Sequence, residues 1–369
     1  LFGLALLGLA WLGGGLVGCG DNGASGGGGV DAAPQPDAAT DGDARADAGA
    51  QDAGLHDGAT DGGEADGGSE FEMPPPGDPG PYEWDTVEET LERDYRDTPV
   101  VAYVPRDPVD PEDPLSPPPG PFPLAVFIPG FEFSSWRYEP TITHLASHGF
   151  VVIRCDPIDI WATMDHLEMT ADVQGVVDWA LDPAGPVAAT VDASHVVVSG
   201  HSLGGKIASM VAYRDPRVTE TFTIDAVNAV GPYGYISSTP DVLPEEVAPL
   251  EIPMGFVGET TNAQPGLGYN ACAPEIANFE RYYEAASSAP WAAMWNFSGA
   301  DHIDFIDDIF GCAACAYCEP GTADGDEVRA GLRTLLTAFM RYHTKQESSL
   351  EPTLIGVDLP GGITEAHKP

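Results

Sequence analysis

The chain has 369 residues, 43% of them hydrophobic, enough for a large core, yet 58 acidic against 15 basic residues leave a formal net charge of −43. So negative a surface repels phosphate backbones, which excludes nucleic acid as the expected partner. Composition is uneven along the chain, and one folded domain behind a low-complexity segment is the organisation it implies.

Residues 1–17 are apolar and Gly-rich and lead into Leu16-Val17-Gly18-Cys19. The run is too short for a comfortable membrane span. Residues 1–19 read as a signal segment, and the ending is similar to the lipobox of bacterial lipoproteins, with Cys19 as the acylated residue. An ordinary cleaved signal is the alternative, so the expected location is exported and lipid-anchored to a bacterial membrane, or otherwise secreted. Residues 20–81 are Asp, Ala, Gly and Pro with almost no aliphatic or aromatic side chains. They cannot bury enough apolar surface to offset the entropy of ordering, and are expected to form a disordered acidic tether. Residues 82–345 are assigned to the folded domain and 346–369 to a C-terminal tail.

Within the domain, strands are expected at 95–105, 123–129, 150–153, 195–199, 222–228, 254–257 and 291–297, and helices at 138–148, 169–181, 206–213, 274–286 and 326–343. Pro123-Leu-Ala-Val-Phe-Ile-Pro129 is apolar without a break, as in a strand buried on both faces. Alternation of such strands with helices predicts a mostly parallel α/β sheet with helices on both faces. There is no internal repeat. His144, His148 and His166 have no neighbours at metal-ligand spacing and read as structural.

The centre of the chain is His195-Val-Val-Val-Ser-Gly-His-Ser-Leu-Gly-Gly-Lys206. Its G-x-S-x-G spacing sits between a β-branched run and an amphipathic one, the strand, sharp turn and helix that present a serine hydroxyl clear of its neighbours. Ser202 is the candidate nucleophile; His201 is expected to pack or hydrogen-bond rather than react. A serine hydroxyl needs a histidine base and an acid to orient that base. His302, directly after the last strand, fits the base. For the acid, Asp225 follows the elbow helix, whereas Glu259 and Asn262 follow the next strand. Asp225 is favoured over Glu259, because an aspartate amid Phe222, Ile224 and Val227 is costly to bury without a strong partner. Backbone N–H groups of Leu203 and of Phe131, after Pro129-Gly130, are the expected oxyanion donors. Phe133, Trp136 and Tyr233 are candidate pocket residues. This chemistry requires no cofactor.

Five cysteines lie beyond Cys19: Cys155, Cys272, Cys312, Cys315 and Cys318. The last three have metal-ligand spacing, and Cys272 could complete a zinc or iron–sulfur set. A signal segment and the lack of a second C-x-x-C pair favour two disulfides, with Cys155 left as the free thiol.

Taken together, Pro129-Gly130-Phe131, His144-Leu-Ala-Ser-His-Gly-Phe150, the elbow, Ile224-Asp225-Ala-Val, Cys272-Ala-Pro-Glu275 and Gly299-Ala-Asp-His-Ile-Asp-Phe-Ile-Asp-Asp308 resemble the α/β-hydrolases. Within them the chain is similar to chlorophyllase and platelet-activating-factor acetylhydrolase-like esterases, and to cutinase-like polyester hydrolases. The first two groups carry the acid after the strand that follows the elbow helix, which implies Asp225. The resemblance implies a carboxylic ester hydrolase working through an acyl-enzyme on a small-molecule or lipid-like ester. A polyester depolymerase, a phospholipid acetylhydrolase and a catalytically silent surface-binding lipoprotein are the alternatives.

Overall fold

The computed structural model describes residues 71–368 except 94–95, 109, 111, 158–163, 231–233 and 357. The signal segment, Cys19, most of the expected tether and Tyr233 therefore lie outside the described residues.

Nine strands form one sheet: β1 (Trp84–Arg93), β2 (Arg96–Pro105), β3 (Phe122–Ile128), β4 (Val151–Cys155), β5 (Val191–His201), β6 (Glu220–Ile224), β7 (Met254–Glu259), β8 (Ala292–Phe297) and β9 (Ile363–Lys368). Their order across the sheet is β1-β2-β4-β3-β5-β6-β7-β8-β9. Strands β3 to β8 pair in parallel; β1, β2 and β9 join antiparallel at the flanks. The chain runs from β3 outward to β4 and then returns to β5 on the other side, so the carboxyl ends of β3 and β5 border the point where winding reverses. Open α/β sheets bind ligands at such a point.

Side chains alternate across the pleat and both faces are covered. From β3, Leu124, Val126 and Ile128 enter one core, while Ala125 and Phe127 enter the other. The first core is closed by α2 (His166–Leu181), α3 (Leu203–Arg214) and α4 (Phe279–Ala285), through Val173, Val176, Val177, Ile207, Met210 and Tyr282. The second is closed by α1 (Glu139–Ser147) and α5 (Gly325–Thr344), through Ile142, Leu145, Leu332, Leu336 and Phe339. Asp165 starts α2 by accepting from Leu167 and Glu168 N–H at 3.0 and 3.1 Å, a cap worth about 1 kcal/mol. Both cores in an α/β-hydrolase arrangement match the fold class expected.

Four expectations need correction. The strand expected at 222–228 ends at Ile224, because Asp225 takes a positive φ of 42° and turns the chain out of the sheet. The helix expected at 274–286 begins only at Phe279, behind its Asn278 cap. Residues 71–81, assigned to the tether, lie on the domain: Pro74, Pro76 and Asp78 carbonyls accept from Arg341, His144 and His148 at 2.7, 2.7 and 2.9 Å. A proline run carries carbonyls but no N–H groups of its own to satisfy, which suits it to cover buried donors. The expected tail contributes a short helix, α6 (Glu351–Leu354), and then β9, which pairs with β8 from Ala292 opposite Lys368 to Phe297 opposite Ile363.

Candidate active site

Strand β5 hands over to α3 through Ser202, whose φ of 56° places it in a region L-residues rarely occupy. The flanking glycines are required by contact. A Cβ on Gly200 would stand 2.5 Å from the Gly204 carbonyl, and one on Gly204 would stand 2.2 Å from the Ile128 carbonyl oxygen. Ser202 N–H donates to Ile224 C=O at 2.9 Å, which fixes the elbow to the end of β6. Among the described residues, four non-glycines have positive φ, and three of them, Glu132, Ser202 and Asp225, border this one site. Backbone strain of this kind persists only where surrounding structure holds it.

Ser202 Oγ lies 2.9 Å from His302 Nε2, and His302 Nδ1 lies 2.5 Å from Asp225 Oδ2. Asp225 is fully buried and His302 nearly so. The polarity follows from donor capacity: Nδ1–H donates to the carboxylate, which leaves Nε2 as the acceptor for the serine O–H. Of the two candidate acids, Asp225 reaches the imidazole. Glu259 Oε2 instead accepts from Asn262 N–H at 2.9 Å. Burial, with Asp225 close by, pushes the Glu259 carboxyl up to about 9.

Residues outside the expected triad hold the His302 segment, and His201 hydrogen-bonds as expected. The His302 N–H donates to Asn262 Oδ1 at 2.9 Å, and Asn262 Nδ2 donates to Glu319 C=O at 2.9 Å. On the other side, His201 Nε2–H donates to the His302 carbonyl at 3.0 Å. Since a carbonyl only accepts, His201 Nδ1 must accept, and it does so from Tyr138 O–H at 2.8 Å. Tyr138 in turn accepts from Gly130 N–H at 3.3 Å. Burial and the neighbouring His302 hold the His201 imidazole well below its ordinary range, in the neutral form this chain of bonds needs. Lys206, buried in α3, donates to the carbonyls of Ala229 and Pro240 at 2.7 and 2.6 Å and so ties down the segment after β6; desolvation lowers it to about 7.

Leu203 is the first residue of α3, so its N–H has no carbonyl one turn earlier in the helix to donate to. Phe131 follows Gly130 at the end of β3, and an added Cβ on Gly130 would meet Ser202 Cβ at 3.4 Å. Phe131 and Phe133 line a cleft of about 210 Å³ with Pro129, Gly130, Glu132, Ser134, Asp156, Pro157 and Met169. Trp136 does not line it and is 41% exposed, with the Arg137 guanidinium over its ring.

Asp225, Glu259 and His302 place one ligand-type atom each within 4.8 Å of one another, a grouping that could in principle hold a metal. The 2.5 Å between Asp225 Oδ2 and His302 Nδ1 is a hydrogen-bond distance, shorter than the edge between two donors on one tetrahedral zinc, about 3.3 Å for bonds of roughly 2.0 Å. These two atoms are thus joined by a hydrogen bond rather than set apart as two ligands of one ion. The cysteines form two disulfides, Cys272–Cys318 and Cys312–Cys315, and leave Cys155 free and buried, as expected.

The profile of the chlorophyllase family matches residues 107–355. The chain belongs to the chlorophyllase family. Ser202, Asp225, Glu259 and His302 all fall inside the matched region. Chlorophyllase-1 of Arabidopsis thaliana is 27% identical over 265 residues, covering 65% of this chain and 80% of that protein. Chlorophyllase-2 of the same plant is 25% identical over 241 residues, covering 61% and 74%. Chlorophyllase-1, chloroplastic, of Citrus unshiu is 27% identical over 241 residues, covering 60% and 68%. Membership of the chlorophyllase family makes the chain an ester hydrolase of the α/β-hydrolase type.

Proposed function

We propose that the protein cleaves carboxylic esters through a covalent acyl-enzyme. Ser202 attacks the ester carbonyl as His302 takes its proton, Asp225 holds the imidazole tautomer, and the N–H groups of Leu203 and Phe131 hold the oxyanion. His302 then protonates the leaving alcohol, and a water activated by the same imidazole releases the acid. The observation that carries this reading is the continuous line Ser202 Oγ, His302, Asp225 Oδ2 with separations of 2.9 and 2.5 Å, assembled from the ends of three different strands. The apolar lining from Phe131, Phe133 and Met169 favours an ester with a hydrophobic, lipid-like portion. The sequence ending at Cys19 supports export with a lipid anchor, and Cys19→Ser should then release active protein from the membrane fraction.

Labelling with a fluorophosphonate tests the mechanism. Wild-type protein should label and Ser202→Ala should not; folded wild-type protein that fails to label sinks the serine mechanism. A panel of p-nitrophenyl esters, a phospholipid with a short acyl chain, a polyester film and chlorophyll then separates the substrate classes.

A further inference from the structure

Two carboxyl oxygens at this site are shut off from water and have no hydrogen-bond partner: Asp225 Oδ1 and Glu259 Oε1. The other oxygen of each is engaged, Asp225 Oδ2 with His302 Nδ1 and Glu259 Oε2 with Asn262 N–H. The two side chains are fully buried and approach within 4.8 Å of each other. A buried polar atom without a partner costs about 1–3 kcal/mol, and two ionised carboxylates side by side in a dry interior cost more. Both problems disappear if one proton resides between the pair. The His302 bond assigns the negative charge to Asp225, and the proton falls to Glu259.

Resting on the acyl-enzyme reading above, we propose that Glu259 is a positioning residue: it stays protonated and its O–H donates to Asp225 Oδ1, so that Oδ2 stays aimed at His302. The pair then carries a single negative charge, which matches the one positive charge that develops on His302 when Ser202 attacks. Glu259 faces Asp225 from the end of β6, Asp301 and His302 from the end of β8, and the N–H groups of Thr261 and Asn262 from its own turn. No lysine or arginine is among these neighbours, and the pull of the Thr261 and Asn262 N–H groups toward the ionised form is outweighed by burial and by the Asp225 charge. The carboxyl is pushed up to about 9, so the proton is held through neutral pH and lost in the alkaline range. Its loss turns an attractive bond into repulsion and frees Asp225 from its orientation.

Infrared difference spectroscopy and pH–rate profiles test this with the full-length protein. At pH 7 the wild-type minus Glu259→Gln spectrum should contain the C=O stretch of a buried protonated carboxylic acid. In p-nitrophenyl butyrate hydrolysis, wild-type kcat/KM should fall along an alkaline limb centred near pH 9. Glu259→Gln keeps a donor that cannot ionise, so its limb should vanish and it should lose less activity than Glu259→Ala, which falls about ten- to hundred-fold. A missing infrared band, or an identical alkaline limb in Glu259→Gln, overturns the proposal. If the wild type neither labels with fluorophosphonate nor hydrolyses esters, the catalytic reading fails, and the infrared band still decides where the proton is.

Discussion

Ser202 and His302 are positioned by opposite means. Around Ser202 the work is done by missing side chains: Gly200, Gly204 and Gly205 let strand and helix backbones meet, and an added Cβ would come within 2.8 Å of a neighbour at each. Around His302 it is done by polar side chains drawn from far along the chain, with Asn262 on its N–H and His201 on its carbonyl. Asp301 adds to this by accepting from Ile303, Asp304 and Gly321 N–H at 2.7, 3.1 and 2.5 Å. Steric contact is unforgiving, because packed backbones have nowhere to go. A set of hydrogen bonds degrades in steps, one partner at a time.

The comparison predicts a cliff at the elbow and a slope at the base loop. The largest effect belongs to Gly204→Ala, whose Cβ would sit 2.2 Å from the Ile128 oxygen and 2.5 Å from that of Pro129. Little or no soluble folded protein is expected by circular dichroism, and a variant melting within a few degrees of wild type would remove the steric account. Next comes Asp225→Asn, which should fold normally while turnover drops by up to about ten-thousand-fold, as the wrong imidazole tautomer takes over. Glu259→Gln should lose far less; the reverse ranking would move the acid's role to Glu259.

On the base side, Cys272–Cys318 joins the segment after β7 to the segment after β8 across 46 residues. Closing a loop of that length restricts the unfolded chain by about 4 kcal/mol in the chain-entropy picture. Cys272→Ser with Cys318→Ser should therefore lower the melting temperature clearly while leaving Ser202 reactive to fluorophosphonate, and an unchanged melt would mean that hydrogen bonds alone hold this loop. Smallest is Asn262→Ala. It strands the His302 N–H and should cost about 1–3 kcal/mol of transition-state stabilisation, roughly five- to hundred-fold in kcat, with KM little changed. A loss as deep as that of Asp225→Asn would show that the loop fails all at once, and the slope would be wrong.

Legibility in the sequence follows the same division. Ser202 could be read because the elbow is local: five residues, a strand before and a helix after. His302 and Asp225 could be read from their place at strand ends, even though their partners are 100 and 77 residues away. His201 could be read only as a residue that packs or hydrogen-bonds and Asn262 only as a neighbour of Glu259; their partners could not, because these depend on which backbone groups arrive beside them from 101 and 40 residues away. No spacing rule records a meeting of that kind. The flanking strands were hidden for a different reason. In β1 the least exposed positions include Trp84, Val87 and Leu91, three and four residues apart, so the alternation expected of a half-buried strand is absent. In β9, Ile363-Thr-Glu-Ala-His-Lys368 offers one large aliphatic residue. Central strands announce themselves by being buried on two faces; edge strands need not.

The outer edge of β1 also bears on how the protein behaves in bulk. A sheet that ends in an open strand offers unpaired backbone groups to any passing copy, the usual start of edge-to-edge aggregation. Strand β1 runs ten residues and exposes Asp85, Glu88, Glu89 and Glu92 along its length. Two such edges brought together would face each other carboxylate to carboxylate. The acidity that sets this chain apart in composition thus acts, along this edge, as a local guard against fibre growth.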